Sequence, residues 1–86
     1  MRRVSFSIDG QGPFEGIVKF GIPGESIVEF IAIPARSEDF AGAKTIRVTP
    51  EGEDPFEAPV IRITTHGGQY DDAVGTMTGY VVFATR

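Results

Sequence analysis

The chain has 86 residues, eight basic against twelve acidic for a net charge of −4, and 41% of it is hydrophobic. That length allows one core, the apolar content argues against wholesale disorder, and the scattered basic residues argue against a general binder of phosphate backbones. The absence of Cys excludes disulfides, thiolate metal sites and cysteine nucleophiles together.

The choice of apolar residues is more informative than their number. Leu, Asn and Trp are missing, and the apolar content is carried by nine Ile, eight Val and seven Phe, with seven Thr beside them. Side chains branched at Cβ are stiff at χ1 and suit a pleated surface, whereas Leu is a strong helix former. Eleven Gly and six Pro supply turns. Residues 1–86 therefore read as a single all-β domain, a small antiparallel sandwich or barrel of about six strands with at most one short helical turn.

Residues 3–8 open the chain as a half-buried strand, with Val4, Phe6 and Ile8 on one face and Ser5 and Ser7 on the other. The turn DGQGP, residues 9–13, leads to a second strand over 14–20. Phe14, Val18 and Phe20 share its inner face, Glu15 and Lys19 its outer face, and Ile17 is the exception. The two strands form an antiparallel hairpin. Arg2 and Arg3 are not followed by the apolar stretch of a secretory leader, and no apolar run is long enough for a helix to span a bilayer. RRVS, residues 2–5, fits a loose basic-directed phosphorylation pattern, but a serine within a strand is a poor substrate.

After the turn GIPG, residues 26–33 are apolar on both faces. Ile27, Ile31 and Ile33 lie on one side and Val28, Phe30 and Ala32 on the other, as in a central strand covered twice. A helix competes, because Ser26 and Glu29 have capping-box spacing, but the β-branched content favours strand. Ser37 is placed to start a single turn over 38–41 that Gly42 ends. Strands follow at 44–49, with Ile46 and Val48 inward, and at 59–65, with Ile61 and Ile63 inward. A last strand at 76–85 is apolar on both faces. The strands at 26–33 and 76–85 are expected to fill the middle of the sheet system.

Three features carry candidate chemistry. The stretch TTHGGQYDDAVG, residues 64–75, holds the only His, with Tyr70, Asp71 and Asp72. His66 and the two carboxylates offer acid–base groups or cation ligands. Yet one His without Cys lacks the company of a zinc site, and the EF-hand pattern is absent. His66-Gly67-Gly68 also lacks the G-x-S-x-G elbow that would accompany a hydrolase oxyanion loop. The stretch reads first as a Gly-hinged connection between strands.

The second feature is EGEDPFEAP, residues 51–59. Glu51, Glu53, Asp54 and Glu57 are suited to grip a cation or a basic partner, or simply to keep an edge soluble. Phe56 among them is either an inward plug, the favoured reading, or an exposed contact. The third is an arginine pair. A hairpin turning about Asp54-Pro55 would set Arg47 opposite Arg62 on the outer face, where like charges repel unless Glu57, an anion or an acidic partner neutralises them.

The inventory points away from an enzyme and requires no cofactor or metal. The leading reading is a non-catalytic protein-interaction module or small accessory subunit, acidic and cytoplasmic, without nucleic-acid or membrane partners. It would act by strand-edge pairing or loop contacts, with another protein or in a homo-oligomer. The alternative is a small-ligand or divalent-cation binding domain that uses the loop from His66 to Asp72. Candidate contact residues are His66, Tyr70, Asp71, Asp72, Phe56, Arg47 and Arg62.

Overall fold

The structure is a computed structural model, and it describes residues 2–20, 23–35, 37–66 and 76–85. Six strands follow one another: β1 (Arg2–Ile8), β2 (Gln11–Phe20), β3 (Glu25–Ile33), β4 (Thr45–Pro50), β5 (Phe56–His66) and β6 (Met77–Ala84). The one helical element described is a 3₁₀ turn at Ser37–Phe40, between β3 and β4. It covers most of the turn expected over 38–41, and Gly42, at φ 73°, follows it. Residues 26–33 are strand, so branching at Cβ outweighs the capping-box spacing.

The strands close into an antiparallel barrel in the order β1-β2-β3-β6-β5-β4, with β4 pairing back onto β1. Closure removes the distinction between middle and edge strands. The expectation that 26–33 and 76–85 fill the middle of a sheet system is therefore replaced by a ring of six staves, although Val81, Val82 and Phe83 are buried in succession, so β6 is covered on both faces there.

The inner face follows the period of two. Val4, Phe6 and Ile8 of β1, Val28 and Phe30 of β3, Ile46 and Val48 of β4, and Met77, Val81 and Phe83 of β6 are all buried in one cluster. Phe rings fill one side of it. Phe6 lies 5.7 Å from both Phe14 and Phe30, and Phe14 lies 5.9 Å from Phe40. Phe40 is thus the stopper that the β3–β4 connection places against the core. Asp9 and Gly10 make the β1–β2 turn, both at positive φ as a two-residue turn between twisted strands requires. The Asp9 carboxylate accepts hydrogen bonds from the Lys44 and Thr45 amides at 3.0–3.3 Å, tying this turn to the start of β4.

Two irregularities correct the assignment of faces. In β3 the ladder with β6 shifts between Phe30 and Ile33, and Ala32 takes φ 52°. This bulge returns Ile33 to the inner face beside Phe30 and leaves Ile31 81% exposed. Ile31 and Ile33 therefore do not share a face. In β5 the ladder with β6 shifts between Val60 and Arg62. Ala58, Val60 and Ile63 pack on the core, and Ile61, expected to point inward, is exposed.

Ser26 is a polar residue in this apolar interior. It is 1% exposed, pairs with Phe20 and Phe83 across the two ladders, and its Oγ has no hydrogen-bond partner among the described residues. An unsatisfied buried hydroxyl costs about 1–3 kcal/mol. Ser26→Ala is expected to raise the unfolding free energy by about 1 kcal/mol, seen as a higher urea midpoint at unchanged slope. A lowered midpoint would show that the hydroxyl is bonded in solution.

Candidate interaction surface

Of the residues singled out from sequence, Phe56, Arg47 and Arg62 can be placed in full. His66 ends β5 with its backbone opposite Thr78, and Tyr70, Asp71 and Asp72 lie outside the described residues, as does the His66 side chain. Phe56 is 41% exposed while its ring lies 6.1 Å from that of buried Phe83, so it is neither a sealed plug nor a free contact residue. It covers part of the barrel end with one face in water. No group of three metal-ligating side chains is placed to hold an ion among the described residues.

The arginine pair is corrected. β4 and β5 do form an antiparallel hairpin, but the turn ends at Phe56 and the register sets Arg47 opposite Glu57. Arg62 lies beyond the reach of β4, opposite Val82 of β6. The like-charge clash is thus avoided by the register, and on its other side Arg47 faces Ser7.

A concave surface lies elsewhere, on the outer face of β1, β2 and β3. Here the β2–β3 ladder begins at Phe20–Ser26 and ends at Ile17–Glu29. Beyond that pair no strand among the described residues pairs with Phe30–Ile33 on the β2 side. Gly16 marks the point of separation. A Cβ there would stand 2.6 Å from the Glu29 carbonyl oxygen and 2.8 Å from Val28 Cγ1, so only glycine lets the strands come so close before they part.

A groove of about 620 Å³ opens along this seam. Its outer-face neighbours follow from the registers: Arg3 beside Ile17 beside Glu29, and Thr49 beside Ser5 beside Glu15. One rim is the β4–β5 turn, with Glu51 and Glu53, docked by the Glu51 amide donating to the Arg3 carbonyl at 3.1 Å. Exposed Ile17 and Ile31 stand in the same groove.

Its charge is one-sided. Four carboxylates, on Glu15, Glu29, Glu51 and Glu53, line it against a single cation, Arg3. Two further cations stand at its margin. Lys19 Nζ lies 3.0 Å from Glu29, and Arg2 pairs with Glu53. All four partners in these pairs have side chains about half exposed, and such pairs contribute about 0–1 kcal/mol, so an incoming cation can replace either.

Part of this surface is visible in the sequence. Glu51 and Glu53 belong to the acidic loop suited to a basic partner, and Ile17 breaks the pattern of its strand. Ile31 is concealed because both faces of its strand are apolar and read as covered, while the bulge moves Ile33 rather than Ile31. Glu29 stands out in the sequence only as a helix-capping residue. No protein-family model, no curated protein and no solved structure matches the chain.

Proposed function

We propose that this chain is a non-catalytic protein-interaction module, and that its contact surface is the outer groove along the β2–β3 seam. The observation that carries this is the joint exposure of Ile17 and Ile31 in one groove. Isolated apolar residues are ordinary on protein surfaces, but two large ones grouped in a concavity suit burial by a partner. The absence of Cys and the presence of a single His support the non-catalytic part of the reading.

The mode of contact is by face and groove rather than by ladder extension. Closure of the barrel gives each strand a neighbour on both sides, for β2 and β5 over less than half their length on one of them, and the unpaired stretch of β3 carries the Ala32 bulge. Bulges are a common means of blunting an edge against strand addition. The Ala32 amide, moreover, already donates to Thr78 Oγ1 at 2.9 Å.

Panning a displayed random-peptide library tests the reading and does not require the partner to be identified first. Peptides enriched on the wild-type protein are expected to be lost on the Ile17→Ser/Ile31→Ser variant, whose exposed positions leave the fold intact by thermal melting. Equal enrichment on both proteins would place the contact surface elsewhere.

A further inference from the structure

We infer that the occupant of this groove is a basic segment in which Lys or Arg alternates with small β-branched residues, presented by a partner protein and held as an extended chain. This rests on the interaction reading above and adds the chemistry of the partner.

The rows of side chains on the two sides match in spacing. Across the outer face, Ile17 lies directly between Arg3 and Glu29, and Glu15 lies two residues before Ile17 on the same face of β2. Neighbours spaced by one strand or by two residues along a strand stand about 5–7 Å apart. An extended segment has the same spacing between alternate side chains. Because successive side chains of such a segment point to opposite sides, its apolar row can cover Ile17 and Ile31 while its basic row faces the acidic rim across the groove. That rim is Glu51 and Glu53 on the β4–β5 turn, and Glu15 and Glu29 add to the negative field of the groove.

Charge also selects against the obvious competitor, a second copy of this chain. The protein carries a net charge of −4, and apposing two such grooves would bring together eight carboxylates against two lining arginines, with Arg2 and Lys19 of each copy already paired to Glu53 and Glu29. A basic partner is favoured by the same field. Because the carboxylates at the surface are screened by salt, the attraction should weaken as ionic strength rises past the point where the Debye length falls to about 8 Å.

The test uses three synthetic ten-residue peptides, alternating lysine with valine, glutamate with valine, and lysine with serine, titrated into the ¹⁵N-labelled full chain. The lysine–valine peptide is expected to shift the amides of Glu15, Ile17, Glu29 and Ile31. It should bind at least tenfold more tightly than either of the others at low salt, and lose at least tenfold in affinity at 0.5 M salt. Glu15→Lys/Glu51→Lys should weaken it by a further tenfold or more, and thermal melts of that variant check that the fold is retained.

The modes of failure are separable. If the lysine–valine and glutamate–valine peptides bind equally, both at this groove and both sensitive to Ile31→Ser, the interaction reading stands and the basic partner is overturned. If the lysine–serine peptide matches the lysine–valine one, charge alone suffices and the matched segment is overturned. Shifts that map away from the groove, or no binding by any peptide, overturn the inference. Concentration-dependent dimerisation that buries Ile31 would overturn it in favour of a second copy.

Discussion

Gly79→Ala is expected to be among the most damaging single substitutions in this protein, lowering the unfolding free energy by about 3 kcal/mol or more. Gly79 faces inward from β6 between Met77 and Val81, with β5 on one side and Phe30 of β3 on the other. A Cβ at this position would run into the Thr64 carbonyl oxygen and stand 2.8 Å from Thr65 Cα. Both obstacles are backbone of the adjacent strand, so relief requires moving β5 rather than turning a rotamer. The barrel transmits such a shift around its circumference, because each strand is fixed by two ladders. A chain of this length has roughly 4–13 kcal/mol of stability in total, so the loss is a large share of it.

Gly42→Ala supplies the contrast. Gly42 has φ 73° but nothing within 4 Å of an added Cβ, so its substitution meets only the left-handed backbone penalty of about 1–2 kcal/mol. Urea titrations of the two variants should therefore separate a steric glycine from a conformational one. A Gly79→Ala midpoint no lower than that of Gly42→Ala would mean that β5 and β6 are less closely apposed than the geometry requires.

The same pair of strands shows where sequence reading stops. Alternation in β1 and β4 predicts their inner faces because those strands are regular, and a period of two needs no tertiary information. It fails across the pairs Ile31/Ile33 and Ile61/Ile63, because one extra residue at a bulge reverses the faces that follow. A bulge is set by pairing with another strand, here β6 in both cases, and no local residue pattern announces it. Glycine content announces turns, yet Gly16 and Gly79 make no turn. They are required by neighbours 13 residues later and 15 residues earlier in the chain, Glu29 and Thr64.

Barrel closure is likewise not written in any local pattern. Hairpins such as β1–β2 follow from short turns, whereas the β3–β6 and β1–β4 ladders join segments with whole strands between them. The groove needs the β1–β4 pairing to bring its acidic rim alongside β1 and the early end of the β2–β3 ladder to open it, and only the rim and the anomaly at Ile17 are visible in the sequence. Arg47 and Arg62 illustrate the converse. Turn chemistry centres the hairpin on Asp54-Pro55, but the register departs from that match, and Glu57 takes the place expected of Arg62.

Phe6→Ala should lower the unfolding free energy by about 3–5 kcal/mol, the range for truncating a buried aromatic. Phe6 is 1% exposed and its ring contacts both Phe14 and Phe30, while Phe14 in turn meets Phe40. Removing it opens a cavity at the junction of β1, β2 and β3, and the rings around it are too large and too constrained by their own strands to fill the space. Phe40→Ala deletes a ring at the end of this series, on a connection that has more freedom to settle, and should cost less. The deletion of Phe6 also reaches the proposed interface. Phe30 lines the groove, and the position a Gly16 Cβ would occupy lies 3.0 Å from Phe6 Cε1, so the ring supports the seam from behind. At a temperature where the Phe6→Ala protein remains folded, amide exchange should accelerate first around Gly16 and Phe30. Uniform acceleration across all six strands would instead indicate that the barrel opens as one unit and that the seam has no separate mobility.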